Sequence, residues 1–408
     1  MDTQTITAKI QLKTTKEQVD LLKSTMNSFM DACNFVSNYI YETKILDVNK
    51  VHNNIYKIIR EKFNLKSQMA ASTIRVVMPK YKTLLKNNKK KLSKKDKKNQ
   101  WRLVKFKKSD LSLVWNKDYS FSETKHQFSI NTLKDRIKVN FYENGLERFD
   151  NKDLKFGTAK ISIDKNEKCY LHIPVTYEIE KLDIENVANI VGIDRGINFI
   201  ANTYDSKGKS KFYNGRTIKQ KRATFIKNRI ELQQRNTASA RKKLRSLGRR
   251  ENRWMQNINH CVSKALIENN PKHTLFVLED LTGIRKSTQK VRLKDRYVMT
   301  SWAFYDLEQK IIYKARNNAC DVIKVNPKYT SQSCPKCGHI DKNNRNKKLH
   351  TFKCKNCNYQ SNDDRIGAMN LYRLGLNYIV NQQTDIIING QVPLVRGTSQ
   401  VSRDVPSR

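Results

Sequence analysis

The chain has 408 residues, enough for two or three domains with hydrophobic cores of their own. Eighty Lys and Arg against 38 Asp and Glu leave a net charge of +42, an excess that no small-molecule enzyme needs and that repels itself unless a polyanion shares the surface. Nucleic acid is therefore the expected partner. A membrane is not, because mean hydropathy is −0.74 and the sequence shows no long apolar span or signal peptide.

In chain order, Ile6, Ala8, Ile10 and Leu12 alternate with polar residues and predict a strand over 4–13. Thr14 and Glu17 have capping-box spacing. Behind them Val19, Leu22, Met26, Phe29, Cys33, Val36 and Ile40 recur every three or four residues, a long amphipathic helix whose stripe reads as core. Further helices are predicted near 48–63 and 67–86, with Pro79 expected to kink or break the second. Residues 86–108 hold twelve Lys/Arg and one acid, Asp96. Such a run reads either as a solvated tail or as a nucleic-acid contact in which Trp101 and Phe106 stack on bases. Short alternating segments then fill 111–180 and predict a small β-barrel, to which 4–13 adds a strand, so that the helical bundle is an insertion.

The apolar run VANIVGID ends in Asp194, and FIANTY and KFYNG follow as antiparallel strands. Residues 216–253 form a basic helical region with fourteen Lys/Arg and two acids, Glu231 and Glu251. Trp254, Ile258, Val262 and Ala265 mark a buried helical face. TLFVLE (274–279) is a second buried strand ending in a carboxylate, 302–316 a helix presenting Phe304, Leu307, Ile311 and Ala315, and DVIKV (321–325) another strand. The tail after about Tyr378 lacks periodicity and is expected to be partly disordered.

Between the last strand and the last helix, Cys334/Cys337 and Cys354/Cys357 form two Cys-x-x-Cys knuckles separated by sixteen residues, the spacing of a closed structural zinc site. The loop between them has almost no apolar residues, and zinc binding worth about 10–16 kcal/mol can order it instead. A disulfide pair is the other reading. Cys33, Cys169, Cys261 and Cys320 are scattered in apolar settings and read as reduced core residues, which implies a reducing cytosol, bacterial by composition.

Asp194 and Glu279 end strands, and Asp364 opens the segment Ile366, Met369, Leu371, Leu374. Strand, hairpin, helix, strand, helix, strand, helix is the order of the RNase H-like fold, in which the first and fourth strands are neighbours and the last helix starts beside them. Three carboxylates brought together there repel by about 4 kcal/mol per pair at 4 Å and an effective dielectric of 20. Mg²⁺ or Mn²⁺ makes the cluster sensible, and two such ions about 3.5–4 Å apart suit phosphodiester chemistry. Asp194 is assigned as the bridging ligand. Each acid has a plainer reading: Asp194 closing a turn with Arg195-Gly196, Asp280 replacing Glu279, and Asp364 following the capping residues Asn362 and Asp363.

GIDRGIN (192–198), LEDLTGIR (278–285), YTSQSCPKCGH (329–339) and CKNCNYQSNDDRIGAMNL (354–371) resemble the TnpB family of transposon-encoded nucleases and the miniature type V CRISPR effectors related to it. The resemblance is strong over the C-terminal half and only architectural before it. It implies a multidomain α+β chain: a wedge β-barrel from 1–13 and 87–182, a helical recognition domain inserted at 14–86, a RuvC-like nuclease domain from 183–328 and 361–378 with basic bridging helices at about 216–270, a zinc ribbon at 329–360 binding target nucleic acid, and the tail 379–408. It implies RNA-guided cleavage of DNA with Asp194, Glu279 and Asp364 as catalytic Mg²⁺ ligands, Cys334, Cys337, Cys354 and Cys357 on Zn²⁺, and guide RNA and double-stranded target DNA with a short flanking motif as partners, monomer or dimer left open. Many members carry Asp-Arg-Asp-x-Asn where this chain has Asn362-Asp363-Asp364-Arg365-Ile366; aligned on Asn370, the catalytic position falls on Asp364, with Asp363 the alternative. An RNA-guided DNA binder without nuclease activity, or a guide-independent transposon protein, are the other functions considered.

Overall fold

The computed structural model describes residues 2–91, 101–107, 111–122, 124, 126–142, 153–196, 198–247, 250–282, 304–346 and 349–388, the side chains of 88–91 and 383–388 excepted. The chain divides into two units, Thr3–Glu178 and the residues from Ile179 onward.

In the first unit, β1 (Asp2–Lys13) alternates as its sequence predicts, with Ala8, Ile10 and Leu12 buried. The helices α1 (Lys16–Thr43), α2 (Val48–Phe63) and α3 (Ser67–Lys91) follow. Then come β2 (Ser112–Leu113), β3 (Tyr119–Ser122), β4 (Gln127–Asn131), β5 (Arg136–Phe141), β6 (Lys155–Phe156), β7 (Ala159–Ile163) and β8 (Cys169–Ile179). These strands form one eight-stranded sheet in the order β2-β7-β8-β1-β5-β4-β3, with β6 paired to β8. Its two ends, β2 and β3, follow each other directly in the chain and are linked by the bridge Trp115–Tyr119, so the sheet is nearly closed. The helices leave from β1 and return to β2, an insertion in this sheet.

Several local expectations are corrected here. The capping box is Thr15/Gln18, one residue beyond Thr14/Glu17: Gln18 N donates to Thr15 Oγ1 at 3.2 Å, and Thr15 N to Gln18 Oε1 at 3.1 Å. Pro79 does not end α3, which runs on to Lys91, because Ile74, Val77, Met78 and Tyr81 are buried around it and their packing outweighs one lost hydrogen bond. The stretch holding Trp101 and Phe106, both half-buried, lies along the helical bundle. Trp101 packs on Tyr81 at 5.7 Å, Tyr81 accepts from Val104 N at 3.3 Å, and Phe106 N donates to Asn34 Oδ1 at 2.8 Å, so 101–107 is pinned along the bundle. The basic residues 92–100 lie outside the described residues.

The second unit is built on a five-stranded sheet of β9 (Asn189–Asp194), β10 (Phe199–Asp205), β11 (Ser210–Asn214), β12 (Thr274–Glu279) and β13 (Asp321–Val325), in the order β11-β10-β9-β12-β13. β9, β10 and β11 pair antiparallel, while β12 runs parallel to both β9 and β13. The basic region forms α4 (Arg216–Arg235), α5 (Ala238–Leu247) and α6 (Arg250–Glu268); α7 (Phe304–Asn317) precedes β13 and α8 (Asp363–Ile388) follows the cysteine module. α6 and α7 cover one face of the sheet, with Met255, Leu266, Leu307 and Ile311 packed on Val191, Ile193 and Phe276. α8 covers the other, with Leu371 and Tyr372 on Ile190, Leu275 and Val277.

The deepest stripe of α6 is Met255, Asn259, Ser263 and Leu266, and the expected face Trp254, Ile258 and Val262 is only partly buried beside it. Cys33, Cys169 and Cys320 are buried as expected, whereas Cys261 is exposed. α8 extends ten residues beyond Tyr378, to Ile388, so the tail begins later than expected. Among the described residues no helix is long and apolar enough to cross a membrane.

Candidate functional site

Parallel pairing of β9 with β12 brings Asp194 and Glu279 to the same edge of the sheet. α8 begins there because Asn362, not Asp363, is its cap: Asn362 Oδ1 accepts from Asp364 N at 3.0 Å and Arg365 N at 3.2 Å. Two close approaches hold α8 on β9. A Cβ on Gly192 would fall within 3 Å of backbone atoms of Ala368 and Tyr372, so only glycine lets helix and strand meet. A Cβ on Gly367 would lie 2.5 Å from Asp194 Oδ2, which places that carboxylate against the first turns of α8.

Burial, then the charges of Glu279 and Asp364, push the Asp194 carboxyl up to about 8. Burial also raises Glu279 and Asp364, and for Asp364 the neighbouring Asp363 adds to it. The three acids are thus electrostatic neighbours. They do not close into one tight set: among the described residues, the His/Cys/Asp/Glu groups with all ligand atoms within 4.8 Å are the four cysteines and His350/Asp363/Asp364.

The structure places the alternative acids differently. Asp280 is half-exposed and accepts from Thr282 N at 3.0 Å, closing its own turn, while Glu279 is the acid that faces Asp194. Asp363 is fully buried and taken by Arg345, whose Nε donates to Oδ2 at 2.8 Å; Asp364 lies 3.6 Å from the same guanidinium and keeps 17% of its side chain exposed. Arg195 does not merely close a turn. Its guanidinium is buried, donating to Glu308 Oε2 at 3.0 Å and to the Glu279 carbonyl at 2.6 Å, and so locks the ends of β9 and β12 to α7.

Sequence reasoning missed Arg195 in this role, and missed Thr330, Asn370 and Arg345. Thr330 Oγ1 donates to Glu279 Oε1 at 2.5 Å, and Asn370 Nδ2 on α8 donates to the carbonyls of Thr330 at 2.7 Å and Ser333 at 2.9 Å. Thr330 and Asn370 lie inside the quoted motifs, so their positions were visible but their partners were not.

The four cysteines meet as their spacing predicts. Sγ separations are 3.6 Å for Cys334–Cys357 and for Cys337–Cys354, close to the about 3.8 Å edge of a tetrahedron with metal–sulfur bonds of about 2.3 Å. The two knuckles have the same turn. Gly338 N donates to Cys334 O at 2.9 Å and Asn358 N to Cys354 O at 3.0 Å, with left-handed backbone at Gly338 and Asn358. A three-stranded antiparallel sheet, β14 (Arg345–Asn346), β15 (Thr351–Lys353) and β16 (Gln360–Asn362), completes the module, and Phe352 and Ile366 form its small core. The donor set and spacing fit Zn²⁺.

Fold and site together define a class: a mixed α/β domain with acids at adjoining strand ends, whose last helix is fed by a four-thiol ribbon. A family model described as the Cas12f1-like TNB domain matches residues 304–371, and one described as OrfB_IS605, probable transposase, matches 172–282. A CRISPR-associated endodeoxyribonuclease Cas12f1 from Syntrophomonas palmitatica is 26% identical over 267 residues, 61% of this chain and 52% of the relative. A TnpB-like protein of Methanocaldococcus jannaschii is 29% identical over 237 residues, 56% of this chain and 81% of the relative. The protein chain in a cryo-EM structure of a Cas12f1–sgRNA–target DNA complex shares the fold, with a TM-score of 0.52 at 14% identity, over 91% of this chain and 98% of that one. By these matches the chain is similar to TnpB-like proteins and to Cas12f1 endodeoxyribonucleases. The chain spans about half the length of the Cas12f1 relative.

Proposed function

We propose that this protein is an RNA-guided DNA endonuclease in which Asp194, Glu279 and Asp364 are the catalytic carboxylates of a RuvC-like domain. The observation that carries the proposal is the meeting of these acids where β9 and β12 end and α8 begins: burial, then the charges of Glu279 and Asp364, raise the Asp194 carboxyl to about 8. A buried anionic cluster of this kind is unfavourable by itself and fits hard divalent cations taking oxygen ligands. When bound, Mg²⁺ or Mn²⁺ there would supply polarisation of the phosphodiester and a water of lowered pKa. Asp194 and Glu279, held at rigid strand ends, would position the cations, and Asp364 would complete the set from the helix start. Arg195 and Thr330 fix the orientation of the Glu279 segment.

In the same reading the nearly closed sheet is the wedge barrel, α1–α3 the recognition domain, α4–α6 the basic bridging helices and residues 329–360 the zinc ribbon that contacts target nucleic acid. Guide RNA and target DNA are the partners, the guide supplying sequence by pairing and the protein holding the duplex by its backbone. The test is plasmid cleavage by the full chain with its copurified RNA, in Mg²⁺ and in EDTA. Cleavage in Mg²⁺ alone, lost in Asp194→Ala, is expected; an Asp194→Ala variant that cuts like the parent would overturn the site. Guided binding without cutting in either protein would instead favour a DNA-binding regulator, the reading supported by the looser spacing of the three acids. Full cutting by RNA-free protein would indicate a guide-independent nuclease.

A further inference from the structure

Asn202 lies on β10 directly opposite Asp194 in the antiparallel ladder. Residues paired this way share one face of the sheet, with Cβ atoms about 4.5–5.5 Å apart. That face is the one α8 covers: two residues along β10, the Tyr204 ring packs edge-on against Tyr372 of α8 at 5.5 Å. Asn202 is 1% exposed, and neither its amide oxygen nor its amide nitrogen has a hydrogen-bond partner among the described residues. Burying both ends of an amide unpaired is unfavourable, and such groups in native proteins mark a water or ion that completes them. Here the orphan stands beside the most strongly perturbed carboxylate of the candidate site.

The geometry points to Asn202 as a further oxygen donor at the Asp194 cation site, its Oδ1 reaching the cation directly or through a coordinated water. This inference rests on the carboxylate–cation reading above. A neutral donor suits the place. Hard divalent cations take amide oxygens as readily as carboxylates, and an amide adds coordination without adding a fourth negative charge to three acids that already repel. The Nδ2 group remains available to donate to the Asp194 carboxylate once that group is ionised, which would fix its orientation as outer hydrogen bonds commonly fix metal ligands.

The experiment uses Mn²⁺ as the probe on the full chain, read by electron paramagnetic resonance titration and by the rise in thermal midpoint that Mn²⁺ produces. Asn202→Leu keeps the volume and removes the polar atoms. If the residue is only a buried orphan, this change leaves Mn²⁺ affinity untouched, and that result overturns the inference. The expected result is a midpoint in EDTA that does not fall, together with Mn²⁺ binding about tenfold weaker. Should Asn202→Leu fail to fold, Asn202→Asp keeps an oxygen donor and adds a charge. Its Mn²⁺-induced rise in midpoint is expected to exceed the parent's, and a rise no larger overturns the inference. Asp194→Ala separates the two levels: if it loses Mn²⁺ binding while the Asn202 variants keep it, only the role of Asn202 fails. If Asp194→Ala binds Mn²⁺ like the parent, the carboxylate reading itself fails.

Discussion

Thr330 has one hydroxyl proton and two acceptors, Glu279 Oε1 at 2.5 Å and the Pro327 carbonyl at 3.0 Å. The shorter contact marks Glu279 as the acceptor of that proton. Thr330→Val should lower kcat for DNA cleavage about tenfold with DNA affinity unchanged, and Thr330→Ser should restore it; equal loss in both variants would mean that packing, not the hydroxyl, matters. Asp194 gives a pH signature in metal-free protein. Its carboxyl keeps a proton up to about 8 in the fold, against about 3.9 in an unfolded chain. The folded state therefore binds the extra proton between those values, and stability is full below about pH 4 and falls as pH climbs towards 8. In EDTA the thermal midpoint should drop more between pH 5 and pH 8.5 for the parent than for Asp194→Asn; parallel curves would refute the assignment. Asp194 and Glu279 were legible in the sequence because they close apolar runs, and Asp364 because it opens a periodic one. Arg195, Thr330 and Asn202 were not, because nothing in a strand pattern says which distant backbone or carboxylate a polar side chain will meet.

At the scale of elements, periodicity found β1, α1 and α2 because each buries one face of a regular pattern, and unbroken apolar runs found β9 and β12, which are buried on both faces. It failed where tertiary packing overrides local signals. Pro79 sits inside α3 because its neighbours are buried, and α8 persists past Tyr378, where residues such as Val380 are exposed and the pattern fades. The α6 stripe was misjudged because Asn259 and Ser263 are polar yet buried, and only the structure supplies Asp306 as the acceptor for Asn259 at 2.8 Å. Gly192 allows a direct test of packing. Gly192→Ala must push α8 off β9 and should cost about 1–3 kcal/mol or more, read as a lower urea midpoint with unchanged slope. The cysteine ribbon depends on metal instead of core. One zinc per chain is expected by elemental analysis, and Cys354→Ser should lose it, with residues 329–362 becoming protease-sensitive while the five-stranded sheet stays protected. Retained protection in that variant would show that the Phe352–Ile366 contact alone suffices.

The whole molecule carries 42 more positive than negative charges, and α4 and α5 leave most of theirs exposed. Buried Glu251 holds buried Arg222 and half-buried Arg229, which ties α4 to α6 and shows that some of this charge is structural. For the remainder, affinity for duplex DNA should fall linearly in log–log salt with a slope of about −0.9 for each phosphate neutralised; a flat response would separate the charge from DNA binding. The proposed polyanion partner rests on composition alone, and the mixed sheet was legible from the order of acids, because charge and chain order survive without coordinates. The pairing of strands in the first sheet did not announce itself, since β2 and β6 are two residues each and carry no pattern.

The glycine contact between β9 and α8 has one more consequence. Where main chain rests on main chain, no pliable side-chain layer lies between, and the offset from Asp194 to the start of α8 is set by atoms that mutation cannot resize. Substitutions on the opposite face, among Met255, Leu307 and Ile311, can loosen or tighten the protein without altering that offset. Thermostability can then drift or be engineered on one side of the sheet while the proposed site on the other keeps its gauge.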